Sequence, residues 1–443
     1  MEKLEQFFRP IATYLATQKI IRSISRGMMM VSPLLIFGGF GAILNILPIE
    51  GYQNFITTIG LKPAFSTIVN VTTNMLALYA VFTITYMYVK ETKHDSFMAG
   101  VIALMSFLMV TPLSVVGEGR EAITSLPIQW LGAQGVFVAM FVAISTSILY
   151  VKIMDKGLII KMPESVPEFV IKTFNGIVPA ILIGSLFAII NAIFSQTPFG
   201  DFHNAVYSVI GLPLKNVGSS IWVVLLITTL AQLCWFLGIH GVAITSVVMP
   251  IWVAAGAENL AATSTGVANS DLPNIVTMAW TIVVSGVGGA GATLGLLFAI
   301  LIFGKSKRYK IFAKVATIPS FFGINEPIVF GLPIMLNPIM FIPFVILPNI
   351  FVATAYALTN IGVLPKPNGI SALQGTPVFF NGFIVGGWQL VVYQIVVVIV
   401  AMFAYLPFFK ILDNKALEEE RQEEVPQEEL LPENSIKNLA SSQ

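Results

Sequence analysis

Glu326 is a carboxylate set in an apolar stretch, Ile324-Asn325-Glu326-Pro327-Ile328-Val329-Phe330-Gly331-Leu332-Pro333. A charge at bilayer depth costs about 2.5–3.5 kcal/mol on insertion scales, so it is normally sheltered by protein or by a wet cavity. No other Asp or Glu is expected inside a long hydrophobic segment, and no basic residue lies within a span to pair with it. That favours contact with a polar cargo over a structural ion pair. Asn325 adds an amide that both donates and accepts, which suits a hydroxylated cargo. It also stands where it can cap a half-helix beginning at Pro327. Upstream, Trp235-Phe236-Leu237-Gly238-Ile239-His240-Gly241 places an imidazole between glycines. His240 reads either as a core histidine bonded to a freed carbonyl or as a ligand group exposed by a backbone break. Trp235 and Trp388 offer π faces to the C–H face of a ring, or else pack or anchor at an interface; Trp222, Trp252 and Trp280 lie near span ends and read as anchors. Gln374 joins Asn368 and Asn381 in a Gly/Pro-rich stretch from Pro365 to Gly387.

Several other chemistries are excluded. His94 and His203 fall in loops, and no His or carboxylate cluster has metal-ligand spacing. The lone cysteine, Cys234, excludes an internal disulfide and reads as a small buried hydrophobe. Gly286, Gly288, Gly289, Gly291 and Gly295 lie in an apolar span with no preceding strand, so close helix packing is expected rather than a nucleotide loop. A GxxxxGK[ST] loop is absent, and no cofactor or soluble-enzyme site is expected. Lys and Arg sit in short flanks rather than on one face, which excludes nucleic-acid binding.

The elements that carry these residues follow from composition. The 443 residues are 56% hydrophobic and 11% charged, with mean hydropathy +0.83. A soluble chain carries about 25% charged residues. The fold expected is an all-α membrane protein of about ten transmembrane helices plus re-entrant hairpins. Spans of about 20 apolar residues are expected near 28–48, 69–89, 98–116, 132–151, 174–195, 219–239, 242–256, 277–303, 339–361 and 383–409. Residues 1–27 read as an amphipathic helix on the membrane surface, with no cleavable leader. Lys and Arg concentrate in alternate loops, which places both termini in the cytoplasm. Parity then requires 219–256 to cross twice, with its break at Gly238–Gly241. Prolines 319, 327, 333 and 338, with Gly323 and Gly331, make 315–338 a hairpin entering from the cytoplasmic side with Glu326 near its tip. Broken membrane segments are the best sequence pointer to a transport site. The division expected is an N-terminal half at 28–196, a connecting region at 197–218 and a site-bearing half at 219–412. An acidic tail at 413–443 is expected to be disordered.

The Gly-Ile-His-Gly segment at 238–241, joined to Gly323-Ile324-Asn325-Glu326-Pro327-Ile328-Val329-Phe330-Gly331-Leu332-Pro333, resembles the membrane permease (enzyme IIC) of bacterial phosphotransferase systems, lactose/cellobiose/diacetylchitobiose branch. The likeness extends over Ile20 to Met30 and Gly387-Trp388, and covers the chain except its tail. Gly323 is a small departure from the family pattern. The resemblance implies import of a disaccharide, its hand-over to a phosphorylated cytoplasmic IIB protein served by IIA, and release as a 6-phosphate. It implies Glu326 and His240 as the catalytic pair bonding the reacting hydroxyl and Asn325 holding the ring; Trp235, Trp388 and Gln374 are expected, from their own types and places, to complete the substrate site. It also implies homodimers joined through the N-terminal half in the bacterial cell membrane. The donor chemistry would reside on the partner, leaving this chain as the transport subunit of a phosphoenolpyruvate-dependent complex. The competing reading is a proton-coupled sugar transporter with Glu326 and His240 as the relay. A channel is the weaker third, since no filter motif is present.

Overall fold

Backbone polar groups in a bilayer must be satisfied within the chain, and a helix does so within one segment. The computed structural model describes residues 10, 14, 17–46, 49–116, 123–160, 162–163, 166–332, 334–371 and 375–424; the side chains of Ile46, Val116, Glu168, Glu326, Phe330, Glu423 and Glu424 are not among those described. In chain order the principal helices begin with α1 (Lys19–Met30), α2 (Ser32–Ile46), α3 (Glu50–Thr58), α4 (Leu61–Val71), α5 (Leu76–Val89) and α6 (Ser96–Val110). A short antiparallel pair follows, β1 (Ser114–Val116) and β2 (Ile123–Ser125), in register Val115 to Thr124. Then come α7 (Val136–Asp155), α8 (Glu168–Asn175), α9 (Ile177–Phe194), α10 (Phe202–Gly218), α11 (Ile221–Phe236) and α12 (Val242–Ser264). The remainder are α13 (Met278–Ser285), α14 (Thr293–Phe303), α15 (Lys307–Phe321), α16 (Glu326–Gly331), α17 (Pro338–Asn360), α18 (Phe380–Gly386) and α19 (Trp388–Glu424).

Among the described residues, eight helical segments are long and apolar enough to cross a membrane. The two other expected spans coincide with α6, which is shorter, and with α11, which meets α10 at a 67° bend. The expected break between α11 and α12 is present, with Gly238 at φ +77°.

Among the described residues two large apolar cores form, beside a small cluster of Ala42, Val69, Leu260 and Ile370. One gathers residues from Met28 to Phe202 and Val206. The other runs from Val224 to Ala416. α12 joins them: Met249, Ala254 and Ala257 face the first core, while Ile244, Val248 and Trp252 face the second. A helix buried on both sides must be apolar all round, which is why α12 shows no polar face in the sequence.

Four expectations are corrected. The surface helix at 1–27 is not what residues 19–27 form. Ser23, Ser25, Gly27 and Met28 are buried in α1, which packs on α5, and small residues permit that approach. A Cβ at Gly27 would lie 2.5 Å from the Ile84 Cα. The tail does not begin at Asp413. α19 continues to Glu424, and Asp413 is buried, accepting from the Lys305 and Ser306 backbone N–H groups at 2.8 and 3.0 Å. Glu420 accepts from the Ser306 hydroxyl at 2.6 Å and the Arg308 N–H at 3.0 Å. The acids have partners at the start of α15, so they order the helix; residues 425–443 lie outside the described residues.

Third, Glu326 is not the only carboxylate in an apolar helix. Glu258 sits in α12, paired with Lys215 at 2.5 Å and accepting from Asn274 at 2.9 Å. Charge pairing and an amide make it tolerable there, and Asn274 and Asn259 extend the network to the backbone at Ala255 and Pro367. Fourth, Trp252 and Trp280 do not anchor span ends, being 2% and 0% exposed, whereas Trp222 is 77% exposed.

Gly27→Val is expected to lower the thermal unfolding midpoint in detergent, at a cost of about 1–3 kcal/mol for overpacking. An unchanged midpoint would mean that α1 does not pack on α5.

Candidate functional site

The glycines at 286–291 do not pack a continuous helix; they end one. α13 stops at Ser285, Gly288, Gly289 and Gly291 adopt φ of +78°, +95° and +74°, and α14 restarts at Thr293. Such φ values are open to glycine and strained for other residues. Of the five glycines singled out, Gly295 alone lies within a helix and meets a facing one, its Cβ position 2.5 Å from Ala401 Cβ.

An open turn at membrane depth exposes N–H and C=O groups, and side chains from three directions satisfy them. The Gly291 N–H donates to Gln232 Oε1 of α11 at 2.9 Å. Tyr405 of α19 donates its hydroxyl to the Gly291 carbonyl at 2.7 Å. Asn325 donates through Nδ2 to the Ala290 carbonyl at 3.0 Å. Asn325 thus occupies the N-cap position of α16 without capping it through its side chain. Its backbone carbonyl instead accepts from the Ile328 and Val329 N–H groups at 2.9 Å each. Gly289 is needed for this contact, since a Cβ there would lie 2.5 Å from Asn325 Cγ.

A second buried amide organises the opposite wall. Gln394 of α19 donates to the Val283 carbonyl at 3.0 Å and to Asn381 Oδ1 at 2.9 Å, and accepts from the Phe379 N–H at 2.9 Å. Phe379 is held at φ +73°, a costly conformation that persists where its surroundings over-determine it.

Between these walls lies a cavity of about 200 Å³ lined by Gln232, Trp235, His240, Thr281, Ser285, Gly289, Asn325 and Asn381, among others. It shares Val242, Thr245, Trp252, Met278 and Ile282 with a neighbouring cavity of about 350 Å³ that reaches Ser32 of α2 and Met28 of the first core. The Trp235 and His240 rings lie 4.3 Å apart between centroids, inclined at 47°. His240 Nδ1 accepts from the Val242 N–H at 3.2 Å. In the neutral ring this assigns the proton to Nε2 and makes that nitrogen a donor. Among the described residues no group of three or more His, Cys, Asp or Glu is placed to hold a metal ion.

The structure therefore brings together Trp235, His240 and Asn325. Glu326 follows directly as the first residue of α16; its side chain lies outside the described set. Gln374 also lies outside the described residues, while its neighbours Gly375 and Thr376 line the cavity. Trp388 lines a different cavity, between α17 and α19, and is 60% exposed. The sequence reading passed over Gln232, Gln394 and Tyr405. Their signal was an amide or phenol inside an otherwise apolar span, which needs a partner as surely as a charge does.

A multi-span helical bundle with broken helices around a polar midsection defines an integral membrane permease. The model of the phosphotransferase system EIIC family matches residues 25–348. The chain is 34% identical over 422 residues to the oligo-beta-mannoside-specific EIIC component of Bacillus subtilis (strain 168), covering 93% of this chain and 94% of that one. It is 34% identical over 424 residues to the cellobiose-specific EIIC component of Geobacillus stearothermophilus, again covering 93% and 94%. The crystal structure of the transporter ChbC, the IIC component of the N,N'-diacetylchitobiose-specific system, superposes with a TM-score of 0.88 at 33% identity over 94% of this chain and 99% of that one. The chain belongs to the EIIC permease family of the phosphotransferase system, whose members are multi-pass proteins of the cell membrane.

Gly289→Ala is expected to destabilise the protein by roughly 1–3 kcal/mol through strain at positive φ and the clash with Asn325. Thermal midpoints of Gly289→Ala, Asn325→Gly and the double variant test this. The double variant should fall short of the sum of the two single losses. Strict additivity would show that the two residues do not meet.

Proposed function

We propose that this permease imports a β-linked disaccharide and presents its 6-hydroxyl to a phosphorylated IIB partner at the cytoplasmic face. The reading is supported by the cavity lined by Trp235, His240 and Asn325, the last of which directly precedes Glu326, the first residue of α16. The sugar specificities in the relatives' names, oligo-β-mannoside, cellobiose and diacetylchitobiose, support the substrate class.

Each residue takes a role its chemistry allows. Trp235 stacks on a sugar ring face. Asn325, anchored through Nδ2, offers Oδ1 as an acceptor. His240 donates from Nε2 to the reacting hydroxyl. Glu326 orients that hydroxyl and accepts its proton as its oxygen bonds to phosphorus and the bond to IIB breaks. Once Glu326 gives up that proton to solvent, the product's charge of about minus two faces a carboxylate, and repulsion favours release. Trp388 has no part in this site, because it lines another cavity. IIA would recharge IIB, and the N-terminal half would join two copies in a homodimer. Ten crossings with both termini in the cytoplasm fit the charge distribution, and the α11–α12 break is consistent with them. Movement of the C-terminal half against the first core would expose the site alternately, with α12 at the shared face.

Glu326→Gln is expected to cut uptake of labelled disaccharide by about a hundredfold or more, with the unaltered size-exclusion profile in detergent. Near-normal uptake would remove Glu326 from the mechanism. In cells supplied with phosphoenolpyruvate, an uncoupler should leave uptake by the unaltered protein intact, and the sugar should appear as its phosphate. Accumulation of free disaccharide in vesicles without any phosphoryl donor would instead establish proton coupling.

A further inference from the structure

A large crevice lies apart from the sugar cavity. It lies between α17 and α19, encloses about 680 Å³, and is apolar along its length. Trp388, Val392, Val396 and Val400, at intervals of four, form one wall and are 60%, 53%, 48% and 45% exposed. Its two hydroxyl groups are satisfied internally: the Thr354 and Tyr393 hydroxyls lie 2.7 Å apart, and Tyr393 donates to the Phe351 carbonyl at 2.5 Å. The three valines of this wall offer no hydrogen bond, and the Trp388 indole N–H at its end is a donor, so a hydrated polar solute gains little along the slot. Both helices are long and apolar enough to cross a membrane, so the exposed valines of the crevice fall within a span.

At one end the character changes. A second cavity, of about 550 Å³, shares Val363, Leu364 and Gln389 with the crevice. Its lining adds Asn269, Ser270, Asn360 and Lys366. Lys366 is half-buried and donates from Nζ to the Leu272 carbonyl at 2.8 Å. An ammonium has three donors, and that bond uses one. The neighbouring acid, Asp271, is exposed and does not line the mouth.

An apolar slot facing lipid, continuous with a polar mouth that carries a cation and amides, has the shape and polarity of an amphiphile. We propose that this site holds one anionic phospholipid. An acyl chain lies along Trp388, Val392, Val396 and Val400, and the phosphate sits at Lys366. The charge complementarity with Lys366 distinguishes the site from ordinary lipid contact. It is separate from the sugar cavity and does not depend on the transport mechanism.

Native mass spectrometry of the full chain tests the assignment. The protein, purified in a mild detergent, is equilibrated with equal amounts of palmitoyl-oleoyl phosphatidylglycerol and phosphatidylcholine. One phosphatidylglycerol should be retained about fivefold in preference, roughly the 1 kcal/mol that one lysine gains beside an anionic lipid. Lys366→Gln should remove the preference. Val396→Trp should fill the slot and lower retention of both lipids, with the thermal midpoint kept; Val400→Phe replaces it if that variant does not fold. Equal retention of the two lipids by the unaltered chain, or a preference that survives Lys366→Gln, overturns the proposal. So does a slot-filling variant that dissociates a dimer but leaves lipid retention unchanged, which would assign the crevice to a second copy of the chain.

Discussion

The turn at Gly286–Ala292 is the constraint on which the C-terminal half depends. Opening a helix within a membrane frees backbone groups that no water solvates, and each must find a partner. Here the partners come from far along the chain: Gln232 and Tyr405 on Gly291, and Asn325 on Ala290. One local requirement thereby fixes α11, α19 and the start of α16 relative to one another. Glu326 follows Asn325 directly, so its backbone position is set by the same bond.

Polar side chains in this half serve two ends. Gln394 and Gln232 are almost fully buried and spend their hydrogen bonds on the fold. His240 and Trp235 face a cavity whose walls those amides hold open. A permease needs both, because a site that binds a hydroxylated cargo must keep its own donors and acceptors from collapsing on one another. The Lys215–Glu258–Asn274 network does the bracing work elsewhere, tying the end of α10 to α12 and to the loop before α13. It shows that an intramembrane carboxylate can be structural when a cation and an amide meet it.

The site was partly legible in the sequence. The break at Gly238–Gly241 followed from length and parity, and the broken stretch around Glu326 from its crowded prolines. Trp235, His240 and Asn325 share one cavity, as their types suggested. Trp388 was drawn toward the site by its aromatic type and by the likeness at Gly387-Trp388, yet it starts a helix whose first turns face another crevice. Glu258 was missed because the span was drawn to end at residue 256, two residues short of it. The glycines at 286–291 were read as helix packing because five small residues in an apolar run carry that signature equally well.

By itself the sequence determined the class of protein. Its hydropathy required helices, its Gly/Pro clusters located two of the breaks, and its motifs at 238–241 and 323–333 pointed to the phosphotransferase permeases. Those are local properties, set by periodicity and by backbone freedom. What only the tertiary structure decided is which distant residues meet: Gln232 and Tyr405 on one glycine, Asn325 in place of a cap on the preceding turn, Asp413 and Glu420 on the start of α15. In an apolar medium a polar side chain can reach any unsatisfied backbone group that the fold brings near. The spacing of residues along the chain does not specify that proximity.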